Sequence, residues 1–109
     1  MGINNSQNAL CGTELSAVMT GSNVLIGVLP VSPAIIIFDN QGTVSVKIYV
    51  NGTADTQLWR TFPAGEAIVL DLRAAHAVAP NFAFAQGTSF YGNGASGTFS
   101  ISYVYAQNM

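Results

Sequence analysis

The stretch Val44-Ser45-Val46-Lys47-Ile48-Tyr49-Val50 decides the fold class. Val44, Val46, Ile48 and Val50 alternate with Ser45, Lys47, Tyr49 and Asn51, the period of two of an extended strand with one buried face. Downstream, Ile68, Leu70 and Leu72 alternate with Ala67, Val69 and Asp71. Near the end Phe99, Ile101, Tyr103 and Tyr105 share one face, opposite Ser100, Ser102 and Val104. Leu58, Arg60 and Phe62 lie opposite Trp59 and Thr61, a weaker alternation that suits an edge strand. Further strands are expected over residues 14–20, 23–29, 35–38 and 88–91.

Turn residues at hairpin spacing separate these runs: Asp39-Asn40-Gln41-Gly42, Asn51-Gly52, Pro63-Ala64-Gly65 and Gly92-Asn93-Gly94-Ala95-Ser96-Gly97. Seven or eight short strands with such punctuation predict an all-β fold, an antiparallel β-sandwich of Ig-like or jelly-roll topology. Helix signals are few. Residues 72–78 form at most one or two turns before Pro80, and are read as a crossover between the sheets. Residues 1–13 are polar and aperiodic, an N-terminal arm, and residues 14–109 form the sandwich domain. One strand breaks the alternation: Ile35, Ile36, Ile37 and Phe38 put large apolar groups on both faces. It therefore needs a cover, from the arm or from a neighbouring subunit.

Composition restricts the chemistry. Three basic and five acidic residues among 109 amount to 7% charged, against roughly a quarter in ordinary soluble domains. Three scattered basic residues make no phosphate-binding surface, so nucleic acid is not an expected partner. Cys11 is the single cysteine, which excludes an internal disulfide and a multi-cysteine metal site. The first residues lack the basic n-region of a secretory signal. The longest apolar stretch, residues 24–38, is interrupted by Gly27, Pro30, Ser32 and Pro33 and is too short to span a bilayer as a helix. Neither export nor membrane insertion is expected.

Candidate catalytic features read as structural ones. Gly92 to Gly97 fits G-x-G-x-x-G, but a strand follows it where a dinucleotide site needs a helix N-terminus, so the glycines are assigned to a turn. His76, the one histidine, has Asp71 nearby in sequence but no Gly-x-Ser-x-Gly elbow to present a nucleophile. A hydrolase built on this pair is the third-ranked reading. Glu14, Asp39, Asp55, Glu66 and Asp71 are dispersed, most of them beside turns where carboxylates bond local backbone. No catalytic residue, cofactor or metal ligand is assigned, and the chain is not expected to be an enzyme. Asn4-Asn5-Ser6 and Asn51-Gly52-Thr53 match the glycosylation sequon by chance in a chain without an export signal. Trp59, Tyr49 and Tyr91 are the aromatic residues best placed for a protein contact or for stacking on sugar rings.

Ile35-Ile36-Ile37-Phe38-Asp39-Asn40, a turn, Val44 to Val50, then Phe62-Pro63-Ala64-Gly65-Glu66-Ala67-Ile68-Val69-Leu70, Gln86-Gly87-Thr88-Ser89-Phe90 and a closing Ser100-Ile101-Ser102-Tyr103 follow one another in a suggestive order. The order resembles small β-sandwich virion proteins of tailed bacteriophages, the capsid decoration or cement proteins and head- or tail-associated accessory subunits. The likeness covers residues 34–105. It implies a non-enzymatic subunit on the capsid surface of a virion, made in the host cytoplasm. It also implies contact with the major capsid protein or other virion subunits, and a homo-oligomer such as a trimer. The residues expected at subunit contacts are Ile3 and Leu10 in the arm, Ile36 and Phe38 in the doubly apolar strand, and Tyr49 and Trp59. The alternative is a glycan-binding or adhesin-type module of a fibre or tail.

Overall fold

The computed structural model describes residues 10–72 and 84–106, with only the backbone described at Leu10, Cys11 and Ala106. Eight strands follow in chain order: β1 (Leu10–Val18), β2 (Val24–Val28), β3 (Ile35–Asn40), β4 (Val46–Val50), β5 (Leu58–Phe62), β6 (Ala67–Asp71), β7 (Ser89–Asn93) and β8 (Thr98–Ala106). Among the described residues one 3-10 turn, Asp55–Gln57, leads into β5. The strands form two antiparallel four-stranded sheets, ordered β1-β8-β3-β6 and β2-β7-β4-β5. This is the all-β sandwich expected, and the strand order resolves its topology as a jelly roll.

The strand order also corrects the reading of the turns. β4 and β5 pair with each other, so the Asn51-Gly52 segment closes a hairpin. The turns at 39–42, 63–65 and 92–97 do not, because β3 and β4, β5 and β6, and β7 and β8 lie in opposite sheets. A turn signal fixes where the chain bends, whereas the sheet it re-enters depends on which partner edge is free.

Period-two faces supply the core. Ile36 and Phe38 of β3, Val46 and Ile48 of β4, Phe62 of β5, Phe90 of β7, and Phe99 and Ile101 of β8 are all essentially inaccessible to solvent. Phe38 is the hub. Its ring lies 4.8 Å from that of Trp59, 5.4 Å from Phe90, and 5.9 Å from both Phe62 and Phe84. Tilted and edge-on pairs at these separations are the favoured aromatic geometry, and here they tie the two sheets together.

One end of the sandwich is sewn up by backbone and by Asn40. Its buried amide nitrogen lies 2.9 Å from Val44 O, 3.0 Å from Pro63 O and 3.1 Å from Phe62 O. Its Oδ1 accepts the Gly42 N–H at 3.0 Å. Beside it Met19 N–H donates to Gly97 O and Gly21 N–H to Gly94 O, both at 2.7 Å. Gly97 sits at φ +91, and a Cβ there would stand 2.7 Å from the Gly42 Cα, so the two loops touch only because both residues are glycine.

Two boundaries differ from expectation. β1 begins at Leu10, so the end of the expected 1–13 arm is part of the sheet, held by pairing with β8 from Leu10↔Ala106 to Val18↔Thr98. Val44 lies outside its strand, its carbonyl taken by Asn40. The helical crossover expected at 72–78 falls, apart from Leu72, outside the described residues.

Candidate interaction surfaces

With one face of each sheet committed to the core, chemistry beyond folding falls to the outer faces and rims. On the β1-β8-β3-β6 sheet the burial of Ile36, Phe38 and Asn40 turns Ile35, Ile37 and Asp39 outward. Registry places Ile37 between Ser102 and Val69, and Ile35 between Val104 and Asp71. Val69, Ile37, Ile35 and Val104 thus form a block across three neighbouring strands, with Val69 62% exposed. Farther along the same face the residues turn polar, as Ser16, Ser100 and Asp39 stand in register. There the Gln41 amide bridges Asp39 at 3.3 Å and Ser100 at 3.1 Å. The charged residues in register on this face, among those described, are Glu14, Asp39 and Asp71, all acidic.

The β2-β7-β4-β5 sheet carries a different band. Leu25 is paired with Tyr91, Tyr91 with Tyr49, and Tyr49 with Leu58. The row crosses all four strands, about 14 Å at the usual interstrand spacing. Leu25 is 49% and Leu58 40% exposed, while Tyr49, flanked in register by Tyr91 and Leu58, is 7% exposed yet not part of the inter-sheet core. Val28, 47% exposed, extends the band along β2. The neighbouring row runs Asn93, Lys47, Thr61, and Lys47 is its charged member.

At the β4–β5 end Val50, Asn51, Gln57, Leu58, Trp59 and Phe84 line an open groove of about 450 Å³. Its polar groups already serve the fold: Gln57 Oε1 accepts the Ala54 N–H, its Nε2 donates to Asn51 O, and Asn51 Oδ1 accepts the Ser89 N–H. Across the sandwich Arg60 donates to Glu66 at 2.9 Å and lies 4.7 Å over the Phe62 ring. That pair joins β5 to the start of β6 at the surface, and contributes well under about 1 kcal/mol.

The expected contact residues separate into three groups. Ile36 and Phe38 are fully buried between the sheets and cannot touch another subunit; the outward apolar residues of that strand are Ile35 and Ile37. Trp59 was expected opposite Phe62, but the register shift between Ile48 and Tyr49 makes Trp59 the extra residue of a bulge. Its ring is turned onto Phe38, Phe62 and Phe84. Tyr49 does lie on an outer face, within the aromatic band. Leu10 opens β1 opposite Ala106; Ile3 lies outside the described residues. Val69, Val104 and Leu25 were missed, although Val69 and Val104 are apolar residues at positions the alternation reserves for polar ones.

Of the pair weighed for a hydrolase, Asp71 closes β6 and His76 lies outside the described residues. Among the described ones no three His, Cys, Asp or Glu side chains gather in a way that would hold a metal ion. No helix among them is long and apolar enough to cross a membrane.

No protein-family model matches the chain, and no curated protein matches it. Among solved structures, a chain from the disulfide-linked pili that form Bacillus endospore appendages is similar at 15% identity and a TM-score of 0.47, over 94% of this chain and 92% of that one.

Proposed function

We propose that the chain is a non-enzymatic structural subunit that works by lying against other protein subunits, in the manner of a decoration or cement protein on a virion shell. The observation that carries this reading is the block of Val69, Ile37, Ile35 and Val104, four aliphatic side chains presented together on an outer sheet face. Contiguous exposed apolar patches mark interaction sites on soluble proteins, and a chain with 7% charged residues has little else with which to recognise a partner. Subunit contacts of this kind stabilise an assembly by mass action, because they exist only in the assembled state.

The reading is tested by recovery. Particles sedimented from the native source should contain the chain at a fixed copy number, and Ile37→Asn should release it from them. Recovery of the chain only as free protein would refute the reading. The glycan-binding alternative has less support, since the Trp59 ring packs against Phe38, Phe62 and Phe84 rather than standing free as a stacking platform.

A further inference from the structure

The two outer faces differ in shape and in sign, and the difference selects a partner. The β1-β8-β3-β6 face offers the aliphatic block Val69, Ile37, Ile35 and Val104 beside the carboxylates of Glu14 and Asp39. The β2-β7-β4-β5 face offers the Leu25-Tyr91-Tyr49-Leu58 band beside Lys47. Two copies meeting through their aliphatic faces would set the Glu14 and Asp39 carboxylates of one against those of the other. Two meeting through their aromatic faces would set lysine against lysine. Aliphatic face against aromatic face places apolar side chains together and opposite charges beside them, the arrangement that steers association and fixes register.

We propose that the aliphatic face of one copy docks on the aromatic face of a second copy, sheet upon sheet. The surfaces are the outer faces of the same sandwich, so the contact is heterologous and leaves a free face at each end. Repeated, it gives an open stack. Packed sheets lie about 10 Å apart, so two sheets per copy set a repeat of about 20 Å along the stack. The exposed Leu25 and Leu58 and the half-buried ring of Tyr91, with Tyr49 buried among them, suit the role of a platform for branched aliphatic groups and supply dispersion contact without desolvating a charge. The proposal names a partner for the structural reading above, but it rests on the purified chain alone, whereas recovery from native particles tests that reading.

Sedimentation velocity on the purified full chain over a range of concentrations is the measurement. The wild-type chain should grow in mass with concentration without stopping at a dimer. Val69→Glu and Leu25→Glu, both at exposed positions, should each abolish growth, with circular dichroism confirming that the fold is kept. Mixed in equal amounts, the two should form a one-to-one dimer, because each retains the face the other lacks; each blocked face carries an introduced glutamate within its apolar patch and does not pair. Lys47→Glu, a second exposed change, should weaken association by about tenfold or more. A wild-type chain that stays monomeric overturns the proposal and leaves both faces to a different protein. Growth of Val69→Glu indistinguishable from wild type also overturns it, as does a dimer formed by either variant alone, which would mean that like faces pair. If either glutamate variant fails to fold, Ile37→Asn or Tyr91→Asn takes its place in the same mixing scheme.

Discussion

Asn40 does more for this fold than any other single polar residue among those described. One buried amide serves the β3–β4 turn through Val44 O and Gly42 N–H, and the β5–β6 corner through Phe62 O and Pro63 O. Removing it leaves several carbonyls short of a donor in a place water reaches poorly, at about 1–3 kcal/mol for each group stranded. Asn40→Ala should therefore lower unfolding free energy by about 3 kcal/mol, read as a shift of the urea midpoint at unchanged slope. Asn40→Asp should be worse, because it sets a carboxylate against three carbonyl oxygens. In the sequence Asn40 reads as an ordinary turn asparagine beside Asp39 and Gly42. That much is right, but the partners at 62 and 63 are invisible there, since nothing in the chain's order says that a second corner lies beside the first.

At the scale of elements, β3 shows how far a period of two can be trusted. Four consecutive apolar residues announce a strand with two apolar faces, and both faces are found: Ile36 and Phe38 inward, Ile35 and Ile37 outward. What the run cannot say is which face is the core, because either set would serve; the choice is made by the aromatic residues waiting on the opposite sheet. The two sets should respond differently to truncation. Phe38→Ala empties the centre of a cluster of five rings and should cost about 3–5 kcal/mol. Ile37→Ala should change stability by less than about 1 kcal/mol, and chemical denaturation of the pair measures the contrast. β5 shows where the period fails. Its alternation set Trp59 opposite Phe62, and one extra residue at the bulge brought both onto Phe38. A bulge carries no mark in residue type, so the outward reading of Trp59 was lost with it. The apolar outer faces were legible all the same, in Val69 between Ile68 and Leu70 and in Leu25 beside Ile26.

For the whole molecule, the strand that opens the described chain pairs along its full length with the strand that closes it. Pairing between segments so far apart in sequence makes folding slow, since loop-closure entropy is lost before any contact repays it. Refolding from urea should accordingly take milliseconds to seconds in stopped-flow fluorescence of Trp59, within the range of sandwiches of similar complexity. The jelly-roll order itself was not in the sequence: seven or eight strands and their bends were legible, but the alternatives share those features and differ only in which edges meet. The pairing has a practical side. Leu10 and Ala106 are register partners, so the backbone ends they mark lie about 5 Å apart. Residue 109 joined to residue 1, with new termini cut into the Thr53–Thr56 segment before β5, would give a circular permutant that retains every strand pair described. Such a permutant should keep the far-ultraviolet circular dichroism of the parent. It would also move both attachment points from the β1–β8 edge to the β4–β5 edge at the same end of the sandwich, where a fused peptide would project from the groove rim.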